Sequence, residues 1–341
     1  MRVLNTVYLT EPGIRVGARS GSLEVRRDRA LVARFPLEGL EAVIAGPRCE
    51  LTTEALTRCT ARGIRVAQLS NNGKVRFMLS GPTRGNVMLR VEQLRAADNP
   101  ARARALASMI VAGKLQNQRR LVQRWSWDAT GPLRYLLDTA RARIEVLLSA
   151  TRESETVDHL RGLEGAGARS YFKALGAHLE RVAPHMTFTI RTRRPPLDPT
   201  NALLSYLYGL AVSEATGALD AVGLDPQIGY LHLLRPGRPS LALDLVEETR
   251  PVMDRFAVRL LGRQAIRLDH FERLPTRAWR LTDEGRRLLL SNYEEYRTEE
   301  IIHPLLRRTV SRSSLVAIQA TLLARTIRGD TELYAPYVME T

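Results

Sequence analysis

The spacing of apolar and polar residues changes at about residue 81. Before it, apolar residues occur in short runs between Gly, Asp and Ser turns, and apolar and charged residues alternate over Leu23-Glu-Val-Arg26. This period of two residues is typical of strands with one buried face. From about residue 87 the period lengthens to that of helices. It predicts helices over roughly 87–96, 101–125, 131–149, 155–182, 199–217, 240–261, 283–295 and 299–328.

The pattern predicts an α+β fold in three parts. Residues 1–80 are expected to form a small β-rich domain, 81–90 a linker, and 91–341 a larger all-helical domain. Gly81-Pro82-Thr83-Arg84-Gly85 marks the boundary, because glycine and proline interrupt helices and strands alike. Within the β-rich part, Asn71-Asn72-Gly73 predicts the turn of a hairpin.

One stretch, Gly229–Pro251, combines a histidine with several carboxylates. His232 lies in a turn bounded by Gly and Pro, and a helix is predicted to begin at Ser240, a good N-cap residue. Three acidic residues at i, i+3 and i+4 share one face of this helix: Asp244, Glu247 and Glu248. Like charges at this spacing repel by about a few tenths of a kcal/mol per pair unless a cation lies over them. The stretch therefore predicts a site for a divalent metal ion.

A second interpretation of the same stretch stays open. An exposed acidic face that pairs with Arg250 and Arg255 has the same spacing and needs no metal ion. Pro251 has no N–H to donate to the carbonyl of Glu247, so it predicts a bend in the helix next to the carboxylates. A further ligand elsewhere in the chain would favour the metal site.

Glu164 is the candidate for that ligand. Four small residues, Gly165-Ala-Gly-Ala168, follow it and allow the helix to approach a neighbouring element closely. Interior glycines cost roughly 1 kcal/mol each relative to alanine, so the close approach must be useful. Tyr171 and Phe172 are predicted to anchor this helix in the core.

Together these motifs resemble one family. In order they are Leu163-Glu-Gly-Ala-Gly-Ala168 with Tyr171-Phe172, Gly229-Tyr-Leu-His232, and Ser240-Leu-Ala-Leu-Asp-Leu-Val-Glu-Glu-Thr-Arg-Pro251. They are similar to those of the CRISPR-associated spacer-acquisition integrase, the first-numbered Cas protein, which is also described as a metal-dependent DNA endonuclease. The resemblance covers nearly the whole chain. The opening Leu4-Asn-Thr-Val-Tyr-Leu-Thr10 and the junction Arg84-Gly-Asn-Val87 resemble the version of subtype I-C systems.

The resemblance implies site residues and a cofactor. It implies catalytic roles for Glu164, His232, Asp244 and Glu247. The implied metal ligands are Glu164, His232 and Glu247, with Asp244 as a supporting or alternative ligand. Some members have aspartate in place of Glu247. Carboxylate oxygens with one imidazole suit Mg²⁺ or Mn²⁺ better than Zn²⁺. Such an ion can activate water, which gives nuclease activity, or a DNA 3′-OH, which gives strand transfer.

The resemblance also implies a biological role and partners. The role is insertion of short foreign DNA into the CRISPR array, in antiviral defence. The partners are double-stranded DNA, a second copy bound through the β-rich domain, and the small second-numbered Cas protein, with which the dimers form a heterohexamer. Two rival interpretations are a general metal-dependent DNA repair nuclease without CRISPR partners and a catalytically silent DNA-binding scaffold. The intact acidic and histidine positions argue against the scaffold.

The charge of the chain also favours a polyanionic partner. Lys and Arg number 51 against 36 Asp and Glu, which gives a formal net charge of +15. Most of the positive charge is arginine, which suits bidentate contacts to phosphate. We predict that four arginines near the site motifs bind nucleic acid: Arg169, Arg235, Arg238 and Arg250.

Neither a membrane segment nor a disulfide framework is predicted. No stretch approaches the roughly 18 uninterrupted apolar residues of a membrane span, and the N-terminus has no apolar signal segment. Cys49 and Cys59 lack the spacing of a metal finger. We therefore expect a cytoplasmic protein with reduced cysteines and no membrane association.

Overall fold

The computed structural model describes residues 2–3, 6–9, 11–70, 75–79, 81 and 87–340. They belong to two compact units. The first comprises Met1–Thr83, Pro195–Leu210 and Ile266–Thr298, and the second Arg84–Arg194, Ala211–Ala265 and Glu299–Thr341. Two segments of the range predicted as the helical domain thus belong to the unit of the N-terminal strands. Residues 82–86 of the predicted linker and the predicted Asn71-Asn72-Gly73 turn lie outside the described residues.

Strands dominate the N-terminal part of the first unit. They are β1 (Arg2–Val3), β2 (Thr6–Leu9), β3 (Arg15–Arg19), β4 (Ser22–Arg27), β5 (Ala30–Pro36), β6 (Ala42–Ala45), β7 (Glu50–Leu51), β8 (Arg65–Leu69) and β9 (Val75–Leu79), with helix α1 (Thr53–Ala61) before β8. Among the described residues they pair into two sheets, in the orders β1-β2-β6-β8-β9 and β5-β4-β3-β7. The predicted strand-rich N-terminal region is therefore confirmed.

The two sheets share one apolar core. β2, β6 and β8 are parallel, and their register places Val7, Val43 and Val66 in one row, each at most 1% exposed. Val16 and Val25 of the other sheet belong to the same buried cluster. β-branched side chains of this kind pack well on a pleated surface, which is why these short segments form strands.

Helices follow from residue 87 onward. They are α2 (Val87–Asp98), α3 (Pro100–Trp127), α4 (Gly131–Ala150), α5 (Val157–Val182), α6 (Pro199–Val222), α7 (Ser240–Glu247), α8 (Arg250–Gly262), α9 (Asp283–Thr298) and α10 (Leu315–Arg328). In the second unit, α3 packs against α4, α5, α7 and α8. α3 and α5 meet at Gly167, where a Cβ atom would overlap the side chain of Leu115. The small residues after Glu164 thus serve the close approach that the sequence predicted.

The prediction of an all-helical second part was wrong in detail. β10 (Phe271–Arg273) pairs with β11 (Trp279–Leu281), and β12 (Glu300–His303) pairs with β13 (Arg308–Ser311). The predicted helix over 299–328 is therefore a hairpin followed by α10. In this hairpin Ile301 lies opposite Val310 and Ile302 opposite Thr309. β-branched residues have a low helix propensity, and cross-strand pairs of them stabilise a hairpin. In this segment they favour strands more strongly than the helical spacing of its apolar residues favours a helix.

The predicted helix over 240–261 is two helices. α7 ends at Glu247 and α8 begins at Arg250, with Pro251 in its first turn. Proline fits there because the first turn of a helix has no partner for its N–H. Ser240 is the first residue of α7 and does not cap it. Its hydroxyl donates instead to the carbonyl of Leu233 at 3.0 Å, which holds the preceding loop against the helix.

Across the described residues, no helix combines the length and the apolar character needed to cross a bilayer.

His178 on α5 is a buried titratable group in the core of the second unit. Its ring stacks on that of Trp125, with the centroids 4.7 Å apart and the planes at 12°. Burial, with a smaller contribution from the charge of Arg181, lowers the pKa of His178 to about 4. His178 is therefore neutral in the folded protein near neutral pH.

We expect His178→Phe to remove part of the acid sensitivity of the fold. The pKa of His178 rises to its ordinary value of 6.5 on unfolding, so the unfolded chain takes up a proton between pH 6.5 and about 4 that the folded chain does not. The wild type should lose stability as the pH falls through this range, by on the order of 3 kcal/mol from this residue. Phenylalanine keeps the stack on Trp125 without titrating. Urea unfolding near neutral pH and near the lower end of this range measures the difference, and an equal loss in both proteins would contradict it.

Candidate active site

Asp244 organises the loop that carries His232. It lies on α7 with no exposed surface, and its carboxylate accepts the backbone N–H groups of Tyr230 (2.6 Å), Leu231 (3.0 Å) and His232 (2.9 Å). The same carboxylate lies 2.6 Å from Nδ1 of the His232 ring. Because a carboxylate accepts hydrogen bonds, this contact favours the tautomer in which Nδ1 donates and Nε2 has the lone pair. Asp244 thus holds His232 in the form that can bind a metal ion.

Gly229 allows this loop to approach α7. A Cβ atom at this position would lie 2.7 Å from the backbone carbonyl carbon of Ser240 and 2.8 Å from Oδ2 of Asp244. Real Cβ atoms do not approach backbone atoms so closely, so any other residue would push the loop away. The glycine of the Gly229-Tyr-Leu-His232 motif is therefore required for the close contact between this loop and α7.

Lys114 of α3 joins two of the predicted ligands. Its ammonium pairs with Oε1 of Glu164 and lies 2.5 Å from Oε2 of Glu247. The side chains of Lys114 and Glu247 are each 3% exposed, and that of Glu164 is 23% exposed. Glu164 lies on α5, which is fastened to α8 by a hydrogen bond of 2.9 Å from the Tyr171 hydroxyl to Asp254. Three helices, α3, α5 and α7, therefore bring these charges together.

Lys114 was not among the site residues predicted from the sequence. On α3 the helical period places Ile110, Val111 and Leu121 among the buried residues, and Lys114 and Asn117 fall among them as well. A lysine buried in an apolar stripe needs a negatively charged partner. That requirement is the signal that could have identified it.

Glu247 lies at the centre of the site. Its Oε1 is 3.0 Å from Nη2 of Arg250 and 3.7 Å from Nε2 of His232. Burial alone would raise the pKa of Glu247, but the charges of Arg250 and Lys114 outweigh it and lower the pKa to about 2. The buried Oε2 forms the ion pair with Lys114. Glu247 is thus an anion whose two oxygens lie beside the cations Arg250 and Lys114.

The donor set fits a hard divalent ion in its chemistry. Two carboxylates and one imidazole nitrogen come together around Glu247, and such a set suits Mg²⁺ or Mn²⁺. As the side chains stand, no three His, Cys, Asp or Glu residues within the described ranges lie close enough to hold one ion. The Lys114 ammonium lies between the two carboxylates instead.

Glu248 does not share the face of Asp244 and Glu247, so this part of the helix prediction was wrong. Its Oε1 accepts hydrogen bonds from the hydroxyl of Tyr334 (2.6 Å) and from Nε2 of Gln319 (3.0 Å), and its Oε2 accepts the N–H of Tyr337 (2.8 Å). Burial raises the pKa of Glu248 to about 7, and these hydrogen bonds limit the rise. The break after α7 turns this side chain toward the C-terminal residues, where it serves the fold.

The predicted DNA-binding arginines have different surroundings. Arg169 and Arg235 are exposed, and Arg238 is half-buried. Burial lowers the pKa of Arg238, and the charges of Arg235, Arg161 and Arg194 act in the same direction. Positive side chains are therefore concentrated beside the His232 loop, and they include Arg161, which the sequence analysis did not single out.

Arg250 differs from the other three. It is 9% exposed and forms the ion pair with Glu247 described above. The structure therefore places Arg250 inside the site, where it balances the charge of Glu247.

Comparison with known proteins places the chain in a class. A family model described as CRISPR associated protein Cas1 matches residues 7–295. A CRISPR-associated endonuclease Cas1 of Rhodospirillum rubrum is 37% identical over 342 residues, and one of Moorella thermoacetica is 38% identical over 339 residues. Each alignment covers 98% of both chains.

Solved structures share the fold. A CAS1 protein from Thermotoga maritima superposes with a TM-score of 0.80 at 22% identity, over 98% of this chain and 100% of that one. A casposase bound to its integration product gives a TM-score of 0.85 at 20% identity, over 98% of this chain and 94% of that one.

The curated relatives define a class of CRISPR-associated endonucleases. The chain belongs to the Cas1 family of CRISPR-associated proteins. The family and the enzyme class predicted from the sequence are confirmed, while the subtype and the ligand roles stay predictions.

Proposed function

We propose that the chain is a metal-dependent DNA endonuclease and integrase of CRISPR adaptation, of the subtype I-C kind, which inserts short foreign DNA into the CRISPR array. The observation that carries this proposal is the convergence of Glu164, His232 and Glu247 from separate parts of the sequence. The endonuclease names of the close relatives support the same class of reaction.

Glu164, His232 and Glu247 would hold Mg²⁺ or Mn²⁺. When bound, such an ion polarises the phosphodiester and makes an attacking hydroxyl more acidic. Asp244 keeps Nδ1 of His232 protonated and Nε2 in the ligating form. Arg250 and its neighbouring charges keep Glu247 ionised. Attack by water at this site would give cleavage, and attack by a DNA 3′-OH would give strand transfer.

DNA would approach this site through its phosphates. Arg169, Arg235 and Arg238 are the predicted contacts, and Arg161 and Arg194 strengthen the positive field beside Arg238. The net charge of +15 supports attraction of a polyanion at long range, with an affinity that falls as salt is added.

The resemblance to Cas1–Cas2 assemblies supports a proposal about partners. One structural relative, at 22% identity and a TM-score of 0.82, is described as a Cas6-RT-Cas1–Cas2 complex. We propose that this chain forms a homodimer through its β-rich part and that the dimers bind the small Cas2 protein in a heterohexamer, in the cytoplasm.

Joining of DNA ends tests the function. The protein is mixed with a short duplex and a supercoiled plasmid in Mn²⁺ or Mg²⁺, with and without the Cas2 partner. We expect a joined product that requires the metal ion. The carboxylates of the site are negatively charged, so they can stabilise the charge that develops on the phosphodiester only through a bound cation. The matched control is the same duplex with 3′-dideoxy ends, which cannot attack.

The rival functions give different outcomes in this assay. A repair nuclease would cut the plasmid equally with both duplexes and join neither of them. A silent scaffold would retard DNA in a gel without cutting or joining it. Either outcome, obtained with the partner present, would overturn the integrase proposal.

A further inference from the structure

Lys114 is a buried charge in contact with two of the proposed metal ligands. Its side chain is 3% exposed and contacts both Glu164 and Glu247. We propose that Lys114 competes with the metal ion for these two carboxylates, so that the site is loaded only when the lysine side chain turns away. This inference rests on the proposed metal-dependent function.

The two cations require the same oxygen atoms. The ammonium nitrogen lies 2.5 Å from Oε2 of Glu247 and also contacts Oε1 of Glu164. Mg²⁺ binds carboxylate oxygens at about 2.1 Å. An ion shared by Glu164 and Glu247 would therefore lie where the ammonium is, and the two positive charges would repel strongly.

The charge balance leads to the same conclusion. Glu164, Glu247 and Asp244 supply three negative charges, and Lys114 and Arg250 supply two positive ones beside them. A divalent cation added to this group would leave an excess of one positive charge in a poorly exposed site, which is unfavourable. Removal of Lys114 from the group removes that excess.

The backbone at Lys114 is held on both sides. A Cβ atom at Gly113 would lie 2.6 Å from Cβ of Pro336, and Leu115 packs directly on Gly167. α3 cannot shift to withdraw the lysine without disturbing both contacts. The displacement must therefore come from the flexible four-carbon side chain itself.

If Lys114 competes with the metal ion, its replacement should change metal affinity in the opposite direction from that expected if it supports the ligands. If Lys114 served only to hold Glu164 and Glu247 in position, its loss would weaken metal binding, as loss of a group that orients ligands commonly does. If it competes, its loss strengthens metal binding. The sign of one measured change therefore decides between them.

The test measures Mn²⁺ binding to the whole chain without DNA, from the electron paramagnetic resonance signal of free Mn²⁺ and from titration calorimetry. Lys114→Met keeps the apolar stem and removes the charge. We expect it to bind Mn²⁺ about tenfold more tightly than the wild type, or better. Lys114→Arg keeps the charge and should not bind more tightly. Glu247→Gln identifies the site, because binding that it abolishes belongs to these ligands.

Thermal unfolding in EDTA and in saturating Mn²⁺ is the second readout. Lys114→Met should unfold at a lower temperature than the wild type in EDTA, since two carboxylates lose their shared cation, and should gain more from Mn²⁺. Lys114→Gln repeats the test if the methionine variant does not fold.

Several outcomes overturn the proposal. Equal or weaker Mn²⁺ binding by a folded variant does so, and so does failure of both variants to fold in saturating Mn²⁺, since Lys114 is then a requirement of the fold. Absence of Glu247-dependent Mn²⁺ binding in the wild type and in every variant overturns the metal-dependent function as well, which separates the two failures.

Discussion

Glu247→Gln is expected to abolish DNA cleavage and strand transfer together, with a loss of roughly 10³-fold or more in rate. One oxygen of Glu247 lies beside Lys114, and the other contacts Arg250 and lies near His232. Glutamine keeps the shape of the side chain but removes its negative charge, and its amide nitrogen repels a cation. Several kcal/mol of transition-state stabilisation would be lost, and a loss of about 4 kcal/mol corresponds to the 10³-fold decrease in rate. The rate of strand transfer in Mn²⁺ under single-turnover conditions measures it.

The matched control is Glu145→Gln on α4 of the same unit. Glu145 is a 47% exposed carboxylate that pairs with Arg119 at 2.7 Å. This variant should retain the wild-type rate, because an exposed ion pair contributes little. DNA affinity of Glu247→Gln should be unchanged or higher, since the positive net charge increases. A folded Glu247→Gln protein with a rate close to that of the wild type would show that Glu247 is not a ligand.

Glu248→Ala is expected to lower the free energy of unfolding by about 3 kcal/mol, the range seen when a buried hydrogen-bond network is broken. Glu248 is 1% exposed and accepts hydrogen bonds from Tyr334, Gln319 and the backbone of Tyr337. Alanine leaves the Tyr334 hydroxyl and the Tyr337 N–H without this acceptor and opens a cavity. The C-terminal residues should become accessible to protease in the variant, because Glu248 is a main attachment of this segment. Urea unfolding and limited proteolysis measure the two effects.

Glu332→Ala provides the comparison for this substitution. Glu332 lies in the same C-terminal segment but is exposed. Its replacement should change stability by less than about 0.5 kcal/mol, as is usual for surface positions. If Glu248→Ala were no less stable than Glu332→Ala, the hydrogen bonds around Glu248 would not hold the C-terminal segment.

Secondary structure was predictable where a local signal was strong. The long apolar periods of α3 and α5 predicted the ends of both helices to within a few residues. Pro251 predicted a bend close to the interruption between α7 and α8. The hairpin of β12 and β13 was missed, because strand pairing depends on contacts across the turn that a periodic pattern does not record. Its β-branched residues were the local signal that should have counted for more.

The motif residues lie near one another in the structure, but their individual surroundings were only partly predictable. The sequence alone led to Glu164, His232, Asp244 and Glu247. The order of their motifs along the chain resembles that of the Cas1 family, and the family's site residues could be assigned to these positions. It also led to the supporting position of Asp244, one helical turn before Glu247. The hydrogen bonds that Asp244 accepts from the His232 loop are in keeping with that position.

Only the tertiary structure decided which neighbours these residues have. It placed Lys114 between two carboxylates, buried Arg250 against Glu247, and turned Glu248 toward the C-terminal residues. The physical reason is that helical spacing determines the direction in which each side chain leaves α7. It does not determine which residues that side chain meets. That depends on α3 packing along one side of α7 and on the C-terminal residues that receive Glu248. These contacts join parts of the chain that are far apart in sequence, so no local pattern contains them.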